Sequence, residues 1–153
     1  MPIFLLPLVA AALRIASIVP FAAAVASDIN RRAISNRTNL ITFCVGAILR
    51  FTVEPRAFAT SVLAAAAVYL GLAGLAHLGL LGGGDVKLAA AASFFVPAGE
   101  VPTLLLDIAL AGGVLCLVYL AIGRGAHRVH APVPYGVAIS AVTTYRVILD
   151  LWP

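Results

Sequence analysis

The chain has 153 residues, of which 63% are hydrophobic and 10% charged, with a net charge of +4. Soluble domains are roughly 45–50% apolar and about 25% charged, and a chain this short cannot bury so much apolar surface within itself in water. The composition excludes a soluble globular domain and points to an integral membrane protein. The positive charge is better read through membrane topology than as a basic face for nucleic acid.

A spanning helix needs ~20 mostly apolar residues. The first candidate covers residues 2–27 and is broken only by Arg14. Its "AVAS" at 24–27 has the form of a signal-peptidase site, but no basic segment precedes it and the apolar stretch is long, so a retained helix is expected. The second, 39–53, is short and ends near Arg50; Cys44 within it and Cys116 later lack CxxC spacing and read as small buried hydrophobes. The third covers 57–81. The fourth begins at Asp85 and runs to Val96, where Pro97 stops it. The fifth, 101–122, carries Asp107, and the sixth, 133–152, carries Arg146 and Asp150. The expected fold is an all-α transmembrane bundle of about six spans, forming one domain over residues 1–153.

Basic residues favour the cytoplasmic side of a membrane. Arg31, Arg32, Arg37, Lys87, Arg124 and Arg128 fall on one side of this topology, and only Arg50 and Arg56 on the other. The N-terminus is therefore expected outside the cytoplasm. Asp28 and Asp85 are both expected at the cytoplasmic edge.

Acids in or beside membrane spans are expensive and are functional candidates by default. Asp150 follows Arg146 by four residues, the spacing of a helix-face ion pair. Asp107 reads as a hydrogen-bonded packing residue or a partner of Arg14. Asp28 and Asp85 stand in less ordinary surroundings. Asp28 opens the polar segment "DINRRAISN", and Asp85 follows three glycines in "GGGD". Taken alone, Asp85 reads as a helix N-cap, but a cap does not require Gly82–Gly84 before it. Glycines there permit another backbone to approach closely. Lys87 in the first turn opposes the helix dipole, so something other than helix stability holds it there. His77, His127 and His130 lack metal-ligand spacing and read as structural or interfacial.

These residues carry a resemblance. "GGGDVKL" resembles the second active-site motif of the type IV prepilin peptidases, which are GxGD intramembrane aspartyl proteases. "SDINRRAISNRTNL", with Asp28, Arg31, Arg32 and Asn36, resembles their first motif. "VPYGVAIS", with Pro134, Tyr135 and Gly136, resembles the opening of their last helix. The three motifs occur in family order. One departure is Ser35, where the family usually has proline. The chain lacks the paired CxxC motifs of the long members and is similar to the short peptidases of tight-adherence (Flp) pilus systems.

The resemblance implies a multi-pass bacterial inner-membrane endopeptidase without metal or cofactor. Its substrates would be prepilin or pseudopilin proteins, cut at the cytoplasmic face to remove a basic leader, with pilus-assembly machinery as a further partner. Asp28 and Asp85 would be the catalytic acids. Two neighbouring carboxylates share a proton, so one serves as base toward water and the other as acid toward the scissile carbonyl. Helix dipoles favour an ionised Asp85 at a helix N-terminus and a protonated Asp28 at a helix C-terminus. Arg31, Arg32 and Lys87 suit an acidic substrate residue near the cut, or anionic lipid. A rival reading is a small transporter or channel that uses the paired acids as a cation site, and another is a structural assembly subunit packed through small residues such as "GLAG" at 71–74.

Overall fold

The computed structural model describes residues 5–123 and 133–151. Arg124, Arg128, His127, His130 and Trp152 lie outside these residues. The described chain forms six α-helices and no strands: α1 Leu5–Arg31, α2 Asn36–Val53, α3 Phe58–His77, α4 Gly83–Ala92, α5 Val101–Gly123 and α6 Tyr135–Leu149. The expected helical membrane bundle is present.

The helices are not equivalent. Three stretches, Pro7–Arg31, Pro55–His77 and Ala98–Ile122, are long and apolar enough to cross a membrane, while α6 is apolar but shorter. At 1.5 Å per residue, the 10 residues of α4 reach only about 15 Å, too little to cross a bilayer. Its sequence is apolar around most of its circumference because it is enclosed: Val86, Leu88, Ala89, Ala91 and Ala92 are all buried. It packs against α2, α3 and α6. A 3₁₀ turn, Ser93–Phe95, carries the chain out of it toward Pro97.

Aromatic packing anchors that exit. The Phe95 ring meets Phe21 of α1 edge-on with centroids 5.2 Å apart, and Phe94 meets Phe43 of α2 at 5.0 Å. Such edge-to-face pairs are favoured by the ring quadrupoles. Gly46 lets α2 approach this turn, since a Cβ there would come within 2.8 Å of the Phe95 ring.

The chain reversal between α1 and α2 is built from local chemistry. Arg32 takes a left-handed conformation with φ 52°, as helix-terminating residues commonly do, and its amide bonds back to the Asp28 carbonyl at 3.0 Å. Ser27 Oγ donates to the Ala33 carbonyl at 2.6 Å, closing the turn. Ser35 then caps α2, accepting from the Thr38 amide at 3.0 Å. Its φ of −68° is one that proline also adopts. Serine thus preserves the backbone path expected of proline and adds a side-chain cap.

Candidate active site

Up-and-down connection brings the end of α1 and the starts of α2, α4 and α6 to one end of the bundle. Asp28 belongs to the last turn of α1, and its carboxylate is turned inward, with 5% of the residue exposed. Asp85 lies in the first turn of α4. The two acids are close enough for the charge of Asp28 to act on Asp85.

Each acid is seated against glycine. A Cβ on Gly136 would lie 2.9 Å from Asp28 Oδ2, and one on Gly82 would lie 2.7 Å from Asp85 Oδ2. Gly84 has a different neighbour: a Cβ there would meet the Cβ and the carbonyl oxygen of Ile34 at 3.3 Å. The close approach expected at Gly84 is thus already made by the chain's own α1–α2 connection. Gly83, by contrast, faces open space.

The start of α4 falls two residues before Asp85. Gly82 occupies the N-cap position with no side chain to offer, and Asp85 reaches back to the Gly82 amide from the third helical position. This is the returning half of a capping box. The aspartate therefore does contribute to the helix start, though not as the N-cap. Burial, reinforced by the charge of Asp28 and opposed by the Gly82 amide, raises the Asp85 carboxyl from 3.8 to about 6.

The environment of Asp28 is not set by its own helix end alone. Although Asp28 ends its own helix, its carboxylate faces the amides of Gly136 and Val137 at the opening of α6. A helix N-terminus favours negative charge, so α6 counters the effect of α1. Asp28 Oδ2 itself is buried without a hydrogen-bond partner among the described residues.

The other sequence candidates surround this pair. Lys87 is exposed and donates from Nζ to Asn36 Oδ1 at 2.8 Å, tying α4 to the first residue of α2. Arg32 exerts its charge on Asp28 and lies over the Tyr119 ring at 5.5 Å. Arg31 is exposed at the end of α1. Pro134 is buried immediately before α6. Tyr135 inserts its ring against Gly112 of α5 and lies near enough to Asp85 to be influenced by its charge.

Two residues not singled out from sequence complete the arrangement. Ile34 wedges between Gly84 and Gly136, with its Cδ1 2.5 Å from where a Gly136 Cβ would lie. Asn39, 5% exposed, donates from Nδ2 to the Gly84 carbonyl at 3.2 Å. Its position three residues after Asn36, on the same helix face, was the available signal.

The remaining acids contradict their expected pairing. Arg146 reaches not Asp150 but Asp107 of α5, at 2.6 Å, and Glu100, at 3.4 Å. Asp150 pairs with Arg14 of α1 at 3.7 Å, so Arg14 is not the partner of Asp107. Packing of α6 against α1 and α5 offers Arg146 and Asp150 lateral partners that outcompete the local four-residue spacing.

The sequence profile of the type IV leader peptidase family matches residues 15–120, which include both Asp28 and Asp85. The chain belongs to this family. No curated protein and no solved structure matches it. The chain is thus a leader-peptidase-like membrane protease, and the three motifs noted in its sequence converge on one end of its bundle.

Proposed function

We propose that this leader peptidase is an aspartic endopeptidase of the bacterial inner membrane, with its active site at the cytoplasmic face. It removes the leader from type IV prepilin-like substrates, Flp pilin or pseudopilin, using Asp28 and Asp85. The observation that carries this reading is the juxtaposition of two inward-turned acids, each seated on a glycine, at one end of the bundle. Among the described residues, the ion pairs engage Glu54, Glu100, Asp107 and Asp150 but neither of these two.

The pair works with one shared proton. We assign that proton to Asp85, whose carboxyl is pushed up to about 6, and the ionised role to Asp28, which faces the α6 amides. Asp28 takes a proton from water as the water oxygen attacks the scissile carbonyl carbon. Asp85 gives its proton to the carbonyl oxygen, forming a neutral tetrahedral intermediate. Collapse breaks the C–N bond, the protonated Asp28 supplies the proton to the leaving amine, and Asp85 recovers its own from the collapsing hydroxyl. Lys87, Arg31 and Arg32 are the cations available to an acidic residue near the cut.

The deciding experiment replaces each acid by its amide. Asp28→Asn and Asp85→Asn should each abolish leader cleavage at matched membrane levels, and the double variant should be hardly worse than either, because groups that act as a unit are non-additive. Cleavage retained by either single variant would overturn the two-aspartate mechanism.

A further inference from the structure

Among the described residues, the buried hydroxyls of this bundle follow one habit, with one exception. Ser17, Thr42, Ser61, Ser93 and Thr143 each donate to the carbonyl three or four residues earlier, at 2.6–3.2 Å. That bond is always within reach of a helical Ser or Thr. Ser140 of α6 is equally buried, at 1% exposure, yet its Oγ has no partner among the described residues. A buried hydroxyl left unpaired is costly.

Its position says what it meets. Gly136 lies four residues earlier, on the same face of α6, and a Cβ there would lie 2.9 Å from Asp28 Oδ2. Helical side chains lean toward the N-terminus of their helix, so Ser140 leans toward the turn where Asp28 arrives. Asp28 Oδ2 is the second buried oxygen without a partner. The step from Gly136 to Ser140 is about 6 Å along the axis. That exceeds one hydrogen bond and is close to two of about 2.8 Å joined through a water.

Small residues flank this space. Ala24, one turn before Asp28 on the same face of α1, is fully buried, and α6 packs directly on α1. With Asp28 at 5% exposure and Ser140 at 1%, neither oxygen is open to lipid, so the bridge has to be small. A buried water needs about two to four polar partners. Asp28 Oδ2, Ser140 Oγ and the second lone pair of the Gly136 carbonyl supply three.

We infer that Ser140 is a positioning residue for Asp28, the two side chains holding one buried water between them on the inner side of the acid pair. The inference rests on the reading of Asp28 as a catalytic acid. The held water donates to Oδ2 and fixes the plane of the carboxylate. It stays in place through the cycle and is distinct from the water that attacks the substrate.

Ser140→Ala removes the hydroxyl without adding bulk. In proteoliposomes its kcat for prepilin cleavage should fall by about tenfold, the scale of one hydrogen bond to a charged group, with KM and thermal midpoint unchanged. Ser140→Thr restores a hydroxyl and should recover most of the lost kcat. Infrared difference spectra give a readout independent of cleavage. The Asp28 carboxyl band, assigned by its disappearance in Asp28→Asn, should shift in Ser140→Ala. An unmoved band or a wild-type kcat in Ser140→Ala would overturn the inference, with the hydroxyl turned back to the Gly136 carbonyl like the other five. A kcat loss that tracks a loss of stability, with the band in place, would overturn it as a packing effect. Those results leave the peptidase reading intact. Cleavage retained by Asp28→Asn would overturn the two-aspartate reading and the role of Ser140 with it.

Discussion

The two ends of the bundle use acids in opposite ways. At the end formed by Glu100, the first two turns of α5 and the close of α6, every acid named has a guanidinium: Asp107 and Glu100 share Arg146, and Asp150 takes Arg14. These pairs link α1, α5 and α6 laterally. At the other end, Asp28 and Asp85 lie against glycine, backbone amides and each other, and Arg32 acts on Asp28 through its charge. In a largely apolar chain the paired acids stabilise the assembly, whereas two neighbouring acids in one buried site raise its energy unless a proton is shared. What separates the two sets of carboxylates is therefore the partners each meets, not their depth in the sequence.

Crossing the two ends by mutation gives the sharpest contrast, and the largest effect belongs to the amide variants of Asp28 and Asp85, where cleavage should vanish. Gly136→Ala should come next. Its Cβ would displace the Asp28 carboxylate and the tip of Ile34, and a misplacement of about 1 Å at a reacting group lowers rate by around 100-fold. Leader cleavage measured at equal protein level should fall by roughly tenfold to 100-fold on that basis; a full rate would show that the glycine serves only helix packing.

A pH profile follows from the raised carboxyl of Asp85. Because the folded value, about 6, lies above the ordinary 3.8, the folded protein holds this proton more tightly than the unfolded chain. Its contribution to stability is therefore fully present below about pH 4, declines as pH rises toward 6 and is flat above that. For catalysis, kcat/KM reports the free enzyme, and the shared proton is lost above the same value. The descending limb should be centred near pH 6 and fall about tenfold per pH unit. A limb centred above pH 8 would remove the proton from Asp85.

At the opposite end the readouts should exchange. Arg146→Gln should lower thermal stability in detergent by an amount equivalent to about 1 kcal/mol, as expected for a partly exposed ion-pair network, while cleavage per folded molecule stays within about threefold, well inside a factor of ten or 1.4 kcal/mol. A collapse of specific activity at normal stability would place these acids in the chemistry after all. The smallest effect is expected from Gly113→Ala on the open face of α5, where an added Cβ meets nothing within 4 Å. Removing a helical glycine at an unobstructed position should change stability by no more than about 1 kcal/mol, in the favourable direction, with cleavage unaffected. Loss of cleavage there would show that an occupied surface had been touched.

Much of this arrangement was legible in the order of residues. Long apolar runs separated by polar turns fix six helices because a bilayer admits few other backbone solutions. With an even alternation of helices, Asp28 at the end of the first and Asp85 at the start of the fourth must fall at the same end. The three glycines before Asp85 marked a place where side chains were unwelcome. What they made room for was decided only by the fold: Ile34 at Gly84, and the Asp85 carboxylate itself at Gly82.

The same division holds for charge. The local rule at Arg146 and Asp150 yields to partners on α5 and α1, because a helix-surface ion pair contributes only a few tenths of a kcal/mol, about 0.2–0.5. The dipole effect at Asp28 is opposed by α6, whose amides arrive from 108 positions later in the chain (136 − 28). Composition and motif order determined the membrane bundle, the family and the end of the bundle at which Asp28 and Asp85 fall, since each follows from local chemistry and connectivity. Tertiary structure alone decided which groups surround those acids, because burial and partners depend on helices brought together from distant parts of the chain.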